Sequence, residues 1–335
     1  MPNLKLPSIF PKIQPQSIYA SSKLYECKTR FSLIGSVGSG KSTTVGLMGI
    51  TTQTLSAIDP SFVCRILERN SNIYGDMSNI RSGHFPEKTV AFDSFATEAG
   101  ILLSKKYWRG TKKIQIPVCD VAGEDLQFLI RQYRDHISTD LGNAAFNAAK
   151  RLTDYVKESE GIIVIEDASR AIIGRRGEQL KSEDDKHLHK DPDVNLVRIL
   201  NDIFDYKDQI KKPLKAILIV ITKWDELKDL VEPLNLNILR PDQRDLILFM
   251  DTCFPSVSQA IKSYQNDHPD TVIRYFPTYV EVERNADNTP KTWDKEGKQY
   301  KIKPKQSHEI MDLRKPSYSE QIFADLVYCL LGFAN

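Results

Sequence analysis

This sequence predicts an α/β fold built on a mostly parallel sheet with helices on both faces, and three features predict it. Short, fully apolar runs such as Gly161–Ile165 and Ala216–Ile221 have the composition of strands buried on both sides. Stretches with apolar residues three and four apart lie between them, at the spacing of amphipathic helices. A glycine-rich turn joins the first strand directly to a helix. Strand and helix in alternation is the pattern of a sheet covered by its own crossover connections.

Taken in order, residues 1–24 carry Pro2, Pro7, Pro11 and Pro15, a spacing that forbids a helix and favours an extended arm. Residues 25–335 read as one enlarged domain, with insertions expected at about 51–88, 136–158, 170–212 and 284–310. The first strand is expected over Lys28–Ile34 and a helix from Lys41 through Leu47 or beyond. A second helix is expected around Phe62–Glu68. Arg81–Thr89 reads as a loop, because Gly83 and Pro86 punctuate it. Ile101–Trp108 and Ile114–Cys119 form a hairpin signal around Arg109-Gly110, with Pro117 awkward for a central strand. Leu126–Tyr155 is helical in period, broken near Ser138–Gly142. Arg170–Pro192 is a charged, exposed excursion. Helices are then expected over Val194–Tyr206 and Asp242–Tyr264, and a strand over Val272–Glu283. Asn285–Gln306 reads as a surface hairpin or loop, and Ser319–Phe333 as a closing helix.

Bulk properties narrow the function classes. Hydrophobic residues make up 41% of the chain, enough for a sizeable core, yet no segment has the length of a membrane span. A net charge of +2 argues against a surface built around nucleic acid. The five cysteines are scattered, without CxxC or zinc spacing, and no signal-peptide pattern opens the chain, so a reducing, cytoplasmic setting is expected.

Three motifs carry chemistry. Gly35, Gly40, Lys41 and Ser42 supply Gly-x-x-x-x-Gly-Lys-Ser straight after the apolar run Phe31–Ile34. Glycines let successive N–H groups turn inward at a phosphate, and the following helix N-terminus adds partial positive charge. The binding set is Gly35, Ser36, Gly38, Ser39, Gly40, Lys41, Ser42 and Thr43, with Lys41 reaching the β- and γ-phosphates and Ser42 placed for Mg²⁺. The second motif is Asp120-Val121-Ala122-Gly123-Glu124 at a strand end. There Asp120 can support Mg²⁺ through a water, and the Gly123 N–H can approach a terminal phosphate. The third is Thr222-Lys223-Trp224-Asp225, after the apolar strand Ala216–Ile221. A carboxylate at Asp225 accepts from N1–H and the 2-amine of guanine together, whereas adenine would present it with a lone pair. Lys223 would lay its aliphatic stem along base and ribose. Trp224 is expected to pack beside the base.

With these motifs in this order, the chain resembles the Ras-like P-loop GTPases of the translation-factor-related (TRAFAC) class. Its phrasing, from Gly83-His84-Phe85-Pro86 through the hairpin to DVAGE, looks most like the prokaryotic double-GTPase groups of conflict systems. The resemblance implies a six-stranded, mostly parallel sheet with nucleotide at the strands' carboxyl ends. It implies a Mg²⁺-dependent GTP/GDP switch that hydrolyses GTP, with a protein partner engaged through switch loops or insertions. The switch threonine that completes Mg²⁺ is assigned to Thr89, with Thr97 and Thr51 as rivals. The catalytic set is Lys41, Gly123 and Glu124.

The sequence departs from the family pattern at two positions. Glu124 stands where such enzymes often carry a water-orienting glutamine, which leaves hydrolysis less secure than binding. Thr222 replaces an asparagine whose amide contacts the phosphate loop. No Ser-Ala follows the strand Val272–Tyr279, only Pro277-Thr278-Tyr279-Val280, so the last base-contacting loop stays unassigned. Arg170, Arg175 and Arg176 read as a solvated basic loop ahead of a cation acting on phosphate, and His187-x-His189 as an exposed turn ahead of a metal site. An ATPase, or an interaction switch with little intrinsic hydrolysis, is the alternative function.

Overall fold

Four apolar segments pair in parallel to make the central sheet. These are β1 (Phe31–Gly35), β5 (Gly161–Asp167), β6 (Ala216–Thr222) and β7 (Val272–Pro277), in the order β1-β5-β6-β7. The computed structural model describes residues 29–35, 38–68, 73–86, 99–108, 110–118, 153–154, 156–170, 192–229, 240–286, 291, 293–295, 298–300, 303–308 and 314–334. Every residue of β1, β5 and β6 is buried, as strands covered on both faces require. Side-chain alternation then sorts the core into two clusters. Ile34, Ile162, Val164, Ile217, Ile219 and Ile221 pack with helices α3 (Pro192–Gln209), α4 (Gln243–Cys253) and α5 (Pro255–Asp267). Phe31, Leu33, Ile163, Ile165, Leu218 and Val220 pack with α1 (Lys41–Ile58) and α6 (Glu320–Gly332).

A second, antiparallel sheet has the order β2-β3-β4, formed by Phe62–Glu68, Ala99–Tyr107 and Gly110–Val118. β4 runs alongside β1, and Ile114 and Ile116 share the core with Phe31 and Leu33. The expected hairpin is present, with Tyr107 opposite Gly110 and Pro117 opposite Gly100. Trp108, at its turn, is 88% exposed.

Phe62–Glu68 forms a strand where the sequence suggested a helix. An Asp59-Pro60-Ser61 turn ends α1, with the Asp59 carboxylate accepting from the Ser61 N–H at 2.9 Å and from its hydroxyl at 2.6 Å. The chain then pairs antiparallel with β3, Phe62 opposite Lys105. Phe62 is buried while Val63 and Arg65 are exposed, an alternation of period two. Seven residues are too few to separate that period from a helical one, and the cross-strand partner decides.

The stretch Asp242–Tyr264 divides into two helices. Asp242 and Asp245 form a capping box at the start of α4, and Pro255 opens α5, where its missing N–H costs nothing. α2 (Ile73–Arg81) precedes the Gly83 turn. After β7 the chain makes isolated bridges, Val280 with Tyr318 and Val282 with Pro304, around the short pairs β8–β9 (Trp293–Lys295, Lys298–Tyr300) and β10–β11 (Gln306–His308, Arg314–Pro316). On α3, Lys207 is fully buried and donates to the Ser159 carbonyl at 2.6 Å. Burial pushes its pKa down to about 8. Among the described residues no helix is long and apolar enough to cross a membrane.

Candidate functional site

The parallel register brings the ends of three strands together. Gly35 lies opposite Ile165, two residues before the end of β5, and Asp167 lies opposite Thr222. All the segments that leave this edge therefore meet at one place, the carboxyl ends of the strands, where open α/β sheets form their crevice.

The turn between β1 and α1 is built by its glycines. Gly40 has φ 88° and immediately precedes the first helical residue, a left-handed conformation that a side chain would strain. Gly35 is needed for a different reason. A Cβ there would lie 2.6 Å from the Ile165 carbonyl oxygen and 2.7 Å from the Ser39 hydroxyl, so β1 could not sit against β5. Lys41 opens α1, and its ammonium donates to the Gly35 carbonyl at 2.9 Å, folding back over the start of the turn. Ser42 and Thr43 follow in the first helical turn, both partly buried. Ser39 is fully buried. Ser36 and Val37 lie outside the described residues, as do Thr89, Asp120, Gly123 and Glu124. Of the residues assigned to Mg²⁺, Ser42 is thus the one whose position is described.

Thr222 joins the third motif to this turn. Its hydroxyl lies 2.8 Å from the Ser39 carbonyl and 3.1 Å from the Glu166 carbonyl, and it donates to them as a shared contact. Its methyl faces Gly40, 3.5 Å from where a Cβ would stand. The tie to the loop that an asparagine amide would make is therefore supplied by a hydroxyl. Lys223 adopts a left-handed backbone, φ 54°, a strained conformation for a residue with a Cβ. Its ammonium donates to Asp167 Oδ2 at 2.6 Å, which aims the side chain across the sheet edge towards β5. Trp224 is buried and meets Phe249 edge to face, with centroids 5.0 Å apart, the packing role expected of it. Asp225 stands in the first turn of a 3-10 helix, Trp224–Asp229. Beside it burial raises the pKa of Glu226, with Asp167 and Asp225 adding to the effect and Lys223 and Arg284 opposing it.

Several residues at this edge escaped the sequence reading. Asp167 Oδ1 accepts from the Ser169 N–H at 2.9 Å and from its hydroxyl at 2.6 Å, and Glu166 accepts from the Asp167 N–H at 3.1 Å. Two buried acids ending an apolar strand, Glu166-Asp167, were the available signal. Arg170 is not solvated: it lies in a helical segment that includes 168–170, and its side chain is 16% exposed. Arg175, Arg176, His187 and His189 lie outside the described residues. The loop after β7 also finds its place. The Trp224 N–H donates to the Thr278 carbonyl at 3.1 Å, the Thr278 N–H to Ile221 at 2.7 Å, and the Tyr279 N–H to the Ser319 hydroxyl at 3.0 Å. Pro277–Tyr279 is thereby held against the turn that bears Asp225.

The molecule is an α/β protein whose parallel sheet carries a glycine-rich strand-to-helix turn at its carboxyl edge. No protein-family model matches the chain, and no curated protein is significantly similar to it. Among solved structures it is similar to a variant of SsGBP (13% identity, TM-score 0.28), the match covering 75% of this chain and half of that one. It is also similar to the Sar1 GTPase of Encephalitozoon cuniculi in complex with GDP, at 10% identity and TM-score 0.28, covering 76% of this chain and 70% of that one. A third is the signal recognition particle receptor SRb-GTP/SRX complex of Chaetomium thermophilum, at 12% identity and TM-score 0.31, covering 77% and 96%.

Proposed function

We propose that this protein binds guanine nucleotide at the carboxyl edge of its parallel sheet and hydrolyses GTP to GDP and phosphate as a Mg²⁺-dependent switch. The observation that carries the reading is the hydrogen bond from Thr222 to Ser39. It couples the base-reading sequence to the phosphate-binding sequence, 183 residues apart in the chain, and so makes one site of two motifs. The turn between β1 and α1 would wrap the phosphates with its N–H groups, aided by the helix N-terminus. Lys41 would leave the Gly35 carbonyl for the β- and γ-phosphates. Asp225 would accept from N1–H and the 2-amine of guanine, and Lys223, steadied by Asp167, would cover the base.

Hydrolysis needs a water oxygen to attack the γ-phosphorus in line while the bond to the β-bridging oxygen breaks and GDP departs. In this assignment Glu124 orients that water, the Gly123 N–H approaches the γ-phosphate, and Lys41 stabilises the charge that builds on it. Mg²⁺ is a hard cation that takes oxygen ligands and would neutralise charge on the β- and γ-phosphates. The Ser42 hydroxyl, beside Lys41, is a suitable donor for it, with Thr89 and Asp120 completing the assigned set. The TRAFAC class, the double-GTPase type and a protein partner reached through the switch loops are finer parts of the same proposal and rest on the motifs.

Competition binding tests it. GTP, GDP and ATP are titrated with Mg²⁺ against a fluorescent guanine nucleotide. Displacement by GTP and GDP but not by ATP is expected. Displacement by ATP alone would leave the phosphate loop standing and remove the guanine reading.

A further inference from the structure

Exposed apolar side chains gather at the end of α1 that lies away from the glycine turn. Among the described residues seven large hydrophobics are exposed, and Ile58, Val63, Tyr107, Trp108 and Tyr328 are five of them. Lys105 marks where they meet. Its ammonium pairs with Asp59, the residue after Ile58, at 3.2 Å, and lies 4.8 Å from the ring centroid of Tyr328 and 5.8 Å from that of Tyr107. Val63 stands opposite Ser104, and the Lys106 N–H donates to the Ser61 carbonyl at 2.9 Å, which holds the β3–β4 hairpin against the turn after α1. The 18 residues of α1 separate this patch from Lys41 by about 25 Å.

The charges on the two hairpin strands are all positive. Ala99–Tyr107 and Gly110–Val118 hold Lys105, Lys106, Lys112 and Lys113 and no acid. Lys105 stands opposite Lys112, a like-charge cross-strand pair that works against the fold. Asp59 offsets Lys105 alone of these four through the pair already named. Side-chain alternation puts Lys105 and Lys112 on one face of the hairpin and Lys106 and Lys113 on the other. Cations thus flank the tip on both faces, with Trp108, 88% exposed, beyond them.

We propose that the β3–β4 hairpin, together with the end of α1 and Tyr328 of α6, is a docking surface for anionic phospholipid membranes. Aliphatic and aromatic side chains enter the boundary between headgroups and acyl chains, and the lysines around them stay with the lipid phosphates. Trp108 and Tyr107 suit that boundary, because each joins an apolar ring to a polar N–H or O–H. A nucleic-acid strand fits the surface less well. It is gripped by rings that stack on its bases, whereas Ile58 and Val63 have no ring, and the cations are not confined to one face. The surface goes beyond the guanine-nucleotide reading and does not depend on it, since the two places lie at opposite ends of α1.

The test sediments the full chain with vesicles of phosphatidylcholine, alone or with about 30% phosphatidylserine. Wild type should bind the anionic vesicles, bind them more weakly when salt rises from about 0.1 M to about 0.5 M, and leave neutral vesicles largely alone. A lysine near such a surface contributes about fivefold, so Lys106→Gln with Lys112→Gln should weaken binding about 25-fold. Trp108→Ala should weaken it at least about fivefold, and it carries the test if the double variant does not fold. Wild type that ignores phosphatidylserine, or binds neutral vesicles equally well, overturns the proposal. So does full affinity in both variants. Tighter binding to a single-stranded oligonucleotide than to the anionic vesicles, weakened by the same substitutions, overturns it too and gives the surface to nucleic acid.

Discussion

Replacing Thr222 by valine isolates the bond that couples the two motifs. Valine keeps the branched shape and the methyl that faces Gly40, so the packing change is small and the hydroxyl is what is lost. One proton is shared between two carbonyls, those of Ser39 at 2.8 Å and Glu166 at 3.1 Å, so the count is one hydrogen bond. Both carbonyls then lose that donor in a region where Thr222 is 7% exposed and water does not replace it readily. A buried group deprived of its partner costs about 1–3 kcal/mol. If the turn keeps its shape, that amount is lost from global stability. If the turn relaxes, the loss appears in nucleotide affinity, where about 1–3 kcal/mol corresponds to about 5- to 150-fold. Urea unfolding and GTP titration on the same preparations capture both. Thr222→Ser, which retains the donor, should keep nucleotide affinity near wild type. Thr222→Val that matches wild type within about 0.5 kcal/mol in both measurements would refute the coupling argument.

Further outcomes follow from the same geometry. Lys41→Ala should abolish tight GTP binding in a protein that still unfolds cooperatively, because it removes the ammonium that now sits on Gly35 and leaves the core untouched; unchanged affinity would sink the phosphate-loop assignment. Asp225→Asn should shift purine preference from guanine towards xanthine, whose 2-oxo group pairs with an amide, and unaltered selectivity in competition binding would remove Asp225 as base reader. Lys207 supplies a pH signature. Its folded pKa of about 8 lies below the unfolded value of 10.5, so the unfolded chain binds more protons between those limits and this group makes stability rise with pH across that window. Unfolding curves for wild type and Lys207→Met at several pH values should differ by that rise, and parallel pH profiles would show that Lys207 is not buried in its charged form.

How much was legible before folding is best judged element by element. β5 and β6 announced themselves, since runs such as Ile162–Ile165 and Ile217–Ile221 can be satisfied only between two covering layers. The hairpin was legible from its turn signal, although its second strand starts at Gly110, earlier than the expected Ile114. β2 was not. Its seven residues fit either period, and its identity as a strand comes from pairing with β3, more than thirty residues further along. Arg170 was unreadable for a similar reason. Among charged neighbours in sequence it looks solvated, whereas in space it lies between Glu166, Asp167 and Gly38.

The sequence by itself determined the glycine turn, the lysine and serine that open α1, the carboxylate motif after β6 and the α/β alternation, because each depends on local backbone freedom or on periodic burial. Only the tertiary structure decided that Thr222 ties to Ser39, that Lys223 turns to Asp167, and that the Pro277–Tyr279 loop closes on Trp224. Those contacts join the ends of neighbouring strands, and in the case of Thr222 and Ser39 the ends of two strands separated by β5, all distant in the chain. Parallel register aligns their ends, and no local pattern encodes which side chains then meet.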